Sequence, residues 1–336
     1  MKLYRKDIAK IAGVSAQTVS YVLNGSRNFS QETVEKVMDA VQKTGYKPDA
    51  IAKGLAKKHL NIVAILIDNF SNPVYSEIMD GFQQEAYKSG YVVVVADLKN
   101  RGENIIADLV SMRVAGIYIT LGMMETCVKL LAELENNDIK VVFGNKIENN
   151  GRQYVFVETD KRRIMHDAVQ YLADCGHENI VYFSGLDIRS TSDERCMGFQ
   201  KAYRERFHKE GIILENAPPY TTDMESGQNI AKHFLQTCIR ASAVITTNDL
   251  MAIGAIHTFL KAGMRVPEDI SVMGIDNIDI ARYSTPALTT VGFDKKAYGR
   301  KVFCLLKNMI EGADELSQSE TFDAEIVERE SVWKFK

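Results

Sequence analysis

Beginning at Asn61, short apolar runs alternate with amphipathic ones: "NIVAILI", "VYSEIMDGFQQEAYKSG", "YVVVVAD", "ENIIADLVSMRV" and "AGIYIT". No other pattern in the chain restricts its fold so strongly, because parallel strands require crossover segments long enough to hold a helix. The alternation continues through "DIKVVFG" and "YVFVET". It then restarts with "RIMHDAVQYLADCG", "NIVYFSG", "DERCMGFQKAYRERF", "SAVITT", "DLMAIGAIHTFLKAG" and "ISVMGID". Two doubly wound α/β units in series are implied, each a mostly parallel sheet covered by helices. Ligands of such sheets collect outside the carboxyl ends of the strands, so a cleft between two units is the expected binding site.

A chain of 336 residues exceeds a comfortable single core, which suits two or three domains. No run approaches the roughly 18 apolar residues of a membrane span, and the start "MKLYRKDIAK" lacks a secretory apolar region, so a cytoplasmic protein is expected. Five dispersed cysteines (Cys127, Cys175, Cys196, Cys238, Cys304) without C-x-x-C, and scattered histidines (His166, His177, His233 and His257 among them), indicate no disulfide framework, metal site or cofactor. The cysteines read as small core hydrophobes and the histidines as structural. Neither G-x-x-x-x-G-K-[ST], H-E-x-x-H nor G-x-S-x-G occurs, and no nucleophile is paired with a base, so an enzyme is not expected.

The net charge of −3 conceals an asymmetry. Residues 1–60 carry eleven Lys/Arg against five Asp/Glu, whereas the remainder carries thirty against thirty-nine. A basic head on an acidic body suggests that only the head meets a polyanion. Within that head, Ile8, Ala9, Ile11 and Ala12 have the spacing of a short helix buried on one side, ended by Gly13. Ser15 is a good N-cap for a second helix from about Ala16, on which Val19, Val22 and Leu23 share one face. Ala16, Gln17, Ser20, Tyr21 and Asn24 share the other, offering groups that suit base edges in a major groove. Ser30 begins a third run with Val34, Val37, Met38 and Val41 at helical spacing, closed by Gly45. Such a trio with a tight turn forms a helix-turn-helix domain, with a generic three-helix bundle as the alternative.

"DIAKIAGVSAQTVSYVLNG" and the later "GYKPDAIAKGL" together resemble the DNA-binding head of the LacI/GalR family of bacterial transcription regulators. The resemblance implies a head over 1–47, a hinge over 48–60 and an effector-binding and dimerisation domain over 61–336. It matches Ala16, Gln17 and Tyr21 to base readers and Ser15, Thr18, Asn24 and Tyr46 to phosphate contacts, with Ser20 and Asn28 in the same DNA-facing set. Gln17 can pair with adenine and Ala16 can touch a thymine methyl. Tyr21 stands where arginine is frequent, so the preferred operator is expected to differ. In the hinge, Leu55 matches a minor-groove wedge, with a linker leucine resting on the next domain as the alternative; Lys53 and Ala56 belong to the same DNA-facing set, and Gly54 costs about 1 kcal/mol of helix stability relative to Ala.

Further on, "NPVYSEIMDGFQQEAYKSGY", "GHENIVYFSG", "TTNDLMAIGAIHTFLKAGMRVPEDISVMGIDNI" and "TPALTTVGFD" are similar to the family's effector domain, itself like periplasmic sugar-binding proteins. Three chain crossings are then expected near Asp160, Val291 and Phe322. They divide the body into an amino-terminal subdomain (about 61–160 and 292–321) and a carboxyl-terminal one (about 161–291 and 322–336). Arg195 and Asp276 match a pair that grips the effector, and a guanidinium fork beside a carboxylate suits adjacent hydroxyls or ring nitrogens. Asn248 matches a further polar contact, although it can equally cap a helix, and Tyr75 matches a stacking aromatic or ordinary cleft packing. Arg189 and Thr191 fall where some purine-responsive members touch ligand, with surface contact as the alternative for Arg189. Thr159, Asp160 and Phe293 complete the set, Thr159 and Phe293 departing from residues common in sugar-responsive members.

The expectation is a repressor acting as a homodimer on a near-palindromic operator, with a sugar or related metabolite favoured over a purine as effector. A solute-binding protein is the alternative, and a protein co-regulator stays open. Because "DAEIVERESVWKFK" lacks apolar heptads, a dimer is expected rather than a tetramer.

Overall fold

In the computed structural model, residues 3–24, 29–46, 60–67, 70–97, 104–120, 124–149, 151–188, 194–313 and 318–335 are described. They form two units, divided between Asn61 and Ile62. The first holds helices α1 (Arg5–Ala12), α2 (Ala16–Asn24) and α3 (Gln31–Thr44). Asp7 accepts a 2.7 Å bond from the Tyr4 amide to open α1, and Gly13 ends it at φ 67°, a left-handed conformation that glycine adopts without strain. Ser15 and Ser30 accept bonds from the amides of Thr18 and Thr33. Ile8, Val19 and Val37 are fully buried at the centre of this unit.

Two residues expected in that core lie outside it: Ile11 is 55% exposed and Met38 50%. At about 100° per residue, each sits roughly a quarter-turn from the centre of its helix's buried stripe.

The second unit contains two principal sheets. One is wholly parallel, in the order β2 (Val92–Asp97), β1 (Ile62–Ile67), β3 (Gly116–Ile119), β4 (Lys140–Phe143). Successive residues of β1 feed opposite faces: Val63, Ile65 and Ile67 enter one core, Ala64 and Leu66 another. Helix α4 (Pro73–Lys88) follows β1, while α5 (Asn104–Ser111) and α6 (Met124–Asn136) follow β2 and β3. A small hairpin of β5 (Glu148–Asn149) and β6 (Arg152–Gln153) precedes β7 (Val157–Thr159).

Helix α7 (Lys161–Asp174) leads into the other sheet. Its parallel strands are β8 (Ile180–Ser184), β9 (Ile212–Glu215), β10 (Ala243–Thr246), β11 (Ser271–Asp276) and β12 (Thr289–Gly292). Strand β14 (Glu325–Val327) joins antiparallel to β12, giving the order β14-β12-β11-β10-β8-β9. Between them run α8 (Glu194–Phe207), α9 (Met224–Gln236) and α10 (Asp249–Lys261). After β12, α11 (Lys295–Ile310) packs against α4 and on β3 and β4, and β13 (Glu320–Phe322) pairs with β7.

Two helix crossings are closer than side chains permit. A Cβ on Gly81 of α4 would stand 2.1 Å from the Lys296 carbonyl oxygen, and one on Gly299 of α11 would stand 2.0 Å from that of Ile78. Gly227 of α9 and Gly254 of α10 repeat the arrangement, since a Cβ on either would stand 2.0 Å from a backbone oxygen of the other helix.

Cys175 is buried and Cys196 half-buried, but Cys238 and Cys304 are exposed, contrary to a core role for every cysteine. Buried His177 lies between Ser242 Oγ and the Trp333 carbonyl, both at 3.0 Å. Among the described residues no helix is long and apolar enough to cross a membrane.

Candidate functional site

Helix α2 owes its exposed polar face to a stretch without charge. On it the Gln17 amide donates to the Tyr21 hydroxyl at 2.9 Å, the i,i+4 geometry that a helix imposes. This bond fixes the amide's orientation while its oxygen and second proton can address a base edge. Tyr21 in turn stacks on Phe29, with centroids 6.4 Å apart, a support that the spacing within α2 alone does not reveal. Ser15 and Thr18 hydroxyls lie 2.9 Å apart at the start of the helix, Ser20 is half-buried, and Asn24 is the last residue of α2. Ala16 is less open than expected, since it packs against the head's core, and Tyr46, expected at a phosphate, is only 8% exposed within that core. Asn28, Lys53, Leu55 and Ala56 lie outside the described residues.

In the body, β11 ends on Asp276, whose φ of 109° is rare for a residue with a side chain, and Asn277 follows at φ 50°. This turn is held from every side. Lys295, 4% exposed at the first position of α11, donates to the carbonyls of Asp276 at 2.9 Å and Asn277 at 2.7 Å. The fully buried Asp249 accepts from the Ile278 amide at 2.8 Å and the Thr290 hydroxyl at 2.5 Å. Arg329 donates to Asn277 Oδ1 at 2.6 Å. Gly274 makes room for the arrangement, as a Cβ there would lie 2.1 Å from Asp249 Oδ1.

The Asp276 carboxyl sits in a contested field. Burial pushes its pKa up, Arg195 and Lys295 draw it down, Glu77 pushes it up, and the outcome is about 6. Asp249 is pushed up to about 8, by burial first and then by Asp276, against the pull of its hydrogen bonds and Lys295. Arg195, half-buried in the first turn of α8, is thus within electrostatic reach of Asp276. Lys295 also approaches Glu77 of α4, at 3.5 Å.

Other expected contacts are placed differently. Asn248 caps α10: its oxygen accepts from the Met251 amide at 3.0 Å and its nitrogen donates to the Thr222 carbonyl at 2.8 Å, so both ends of the amide are engaged within the protein. Asp160 is exposed and caps α7 by accepting from the Arg163 amide at 2.9 Å. It lines a separate pocket of ≈ 200 Å³ with Arg163, Asp167, Phe322 and Asp323. Thr159 is half-buried at the end of β7, opposite Phe322. Tyr75 and Phe293 are half-buried against the hydrophobic core, Phe293 5.4 Å from the Tyr298 ring and 5.8 Å from the Lys295 ammonium. Arg189 and Thr191 lie outside the described residues. Lys295 and Glu77 went unnoticed in the sequence, because nothing about a lysine or glutamate near a helix start announces burial. Among the described residues no three His, Cys, Asp or Glu are grouped so as to hold a metal ion.

Residues 6–49 match the family described as bacterial regulatory proteins, lacI family, and residues 169–332 match a periplasmic binding protein-like domain. The HTH-type transcriptional repressor PurR of Vibrio cholerae serotype O1 (strain M66-2) is 30% identical over 333 residues, covering 97% of each chain. The chain belongs to the LacI family of bacterial regulatory proteins. Within that family, PurR of Erwinia tasmaniensis is 33% identical, over 97% of this chain and 96% of its own. Among solved structures, the Lac repressor dimer bound to operator and the anti-inducer ONPF has the same fold, with a TM-score of 0.86 at 24% identity, over 99% of this chain and 100% of that one. The regulator CelR in complex with cellobiose follows at a TM-score of 0.72 and 24% identity, over 98% and 99%. The helix-turn-helix and the doubly wound body are accordingly those of a LacI-family transcription regulator, and the curated relatives are transcriptional repressors.

Proposed function

We propose that the protein is a transcriptional repressor, acting in the cytoplasm and without catalytic turnover, that binds a near-palindromic operator as a homodimer and responds to a sugar or related metabolite in the body's cleft. The observation that carries the ligand reading is the Asp276 turn: a buried carboxylate on strained backbone, within the field of Arg195, at the carboxyl end of a parallel strand. Strain of this kind persists only where surrounding bonds over-determine it, and it concentrates at ligand sites. Arg195 and Asp276 bracket the effector's hydroxyls, with Tyr75 and Phe293 as apolar walls and Thr159 at the edge. In this reading Gln17 and Tyr21 read bases, Ala16 touches a methyl, Ser15, Thr18, Ser20, Asn24 and Asn28 line the DNA, and Lys53, Leu55 and Ala56 form the hinge. The subdomains divide at the three crossings near 160, 291 and 322, and effector and operator affinities are linked reciprocally through them.

A thermal-shift panel of free sugars, sugar phosphates, nucleosides and purine bases tests the ligand half. At about 100 times Kd a ligand adds roughly 2.7 kcal/mol, a shift of a few degrees. A single class is expected to respond, and its effect to vanish in Arg195→Ala. A response that survives Arg195→Ala removes the cleft from the argument. Selection of operators from random DNA tests the other half, with two inverted half-sites as the expected outcome.

A further inference from the structure

Resting on the cleft reading above, we propose that Glu77 accepts a hydrogen bond from the effector through Oε1, held by Lys295, and that it makes the cleft select an uncharged, hydroxyl- or amino-bearing ligand over an anionic one. Glu77 stands one turn into α4, and its side chain is 28% exposed, so the group borders open space. One of its two oxygens is nevertheless buried, and among the described residues it has no hydrogen-bond partner. A buried acceptor left unmade costs about 1 to 3 kcal/mol, which makes it a place where a donor is wanted.

The other oxygen lies 3.5 Å from the Lys295 ammonium. That same ammonium donates at 2.9 Å to the Asp276 carbonyl, so one cation ties Glu77 to the residue that carries the ligand reading. Lys295 gives hydrogen bonds to two carbonyls and faces the Glu77 carboxylate with its remaining charge. Around the Asp276 carboxyl, Lys295 and Arg195 stand against Glu77, and Asp249, pushed toward its neutral form by burial, faces Arg329. The amide of Val74 near the start of α4 is occupied by the Asn72 side chain at 3.1 Å. A phosphate brought to Glu77 Oε1 meets an acceptor that cannot donate to it and a second carboxyl at Asp276, whereas a neutral donor completes Glu77 and adds no charge.

The test uses the full-length protein and calorimetric titration with ribose, glucose, galactose and cellobiose, beside the phosphate esters of the first three. At least one free sugar is expected to bind, with its ester weaker by about tenfold or more. Glu77→Gln keeps the shape of the side chain but removes its charge. It is expected to weaken the free sugar by about tenfold and to bring the ester closer to it, a change of preference that loss of packing does not produce. Circular dichroism and the thermal midpoint of the ligand-free variant check that it folds. Loss of binding in Arg195→Ala with an unaltered titration in Glu77→Gln overturns the role of Glu77 and leaves the cleft standing. Binding that persists in Arg195→Ala overturns the cleft reading itself. An ester that binds more tightly than its free sugar, or silence from all four sugars, overturns the preference proposed.

Discussion

The polar face of α2 and the floor beneath Asp276 are both candidate ligand surfaces, and they are built on opposite principles. On α2 the bonds from Ser15 to Thr18 and from Gln17 to Tyr21 are local, between residues three or four apart and at the surface. Beneath Asp276 the bonds are buried or partly buried and join distant segments: Lys295 to Asp276, Asp249 to Thr290, Arg329 to Asn277. A helix supplies the first kind of order by itself, so changes there alter recognition with little effect on stability. The second kind is part of the body's folding, so recognition and stability are there the same property.

Breaking the floor is expected to give the largest effect. Lys295→Met leaves the carbonyls of Asp276 and Asn277 and the Glu77 carboxylate without their cation, and should cost the body about 3 to 5 kcal/mol in urea unfolding. Asp249→Ala strips partners from the Ile278 amide and the Thr290 hydroxyl and should cost about 2 to 3 kcal/mol. Either variant with unchanged stability would place the floor in the same class as α2.

Acidity sharpens the contrast. Asp249 and Asp276, pushed up to about 8 and about 6, retain protons in the folded chain that an unfolded carboxyl near pKa 3.9 has released. The folded state therefore binds more protons between about pH 4 and 8, and this contribution makes stability fall as pH rises through that window. Thermal midpoints of Asp249→Asn should show a flatter decline toward pH 8 than those of the parent chain. On α2, Gln17→Ala should leave stability within about 0.5 kcal/mol, yet relax base preference at one half-site position by roughly 1 to 3 kcal/mol. Equal weakening across all DNA sequences would take base reading away from Gln17.

The same contrast governs what could be read without the structure. Local order is written in spacing, so the three head helices, the glycine ends of the first and third and the Ser15 cap were all legible. The repeated apolar runs likewise announced two parallel sheets. The antiparallel partner of β12 had no such signal, because three residues after a turn carry no period. Ile11 and Met38 matched a helical repeat without lying at its centre, and the pattern cannot tell the rim of a stripe from its middle. Around the Asp276 turn, Arg195 and Asp276 were singled out, but Lys295 was not. Its burial depends on carbonyls 18 and 19 residues earlier that turn toward it only after β11 and α11 have met.

The two backbone-close helix crossings bear on the genetics of this regulator. Any single-base change in a glycine codon that alters the residue introduces a Cβ or ends the chain. At Gly81, Gly299, Gly227 and Gly254 that carbon has nowhere to go. An unbiased screen for loss of regulation should therefore accumulate hits at these four codons, none of which encodes a proposed contact with effector or DNA. Second-site suppressors should be scarce there, since the colliding atom is a backbone oxygen that every residue on the opposing helix would carry.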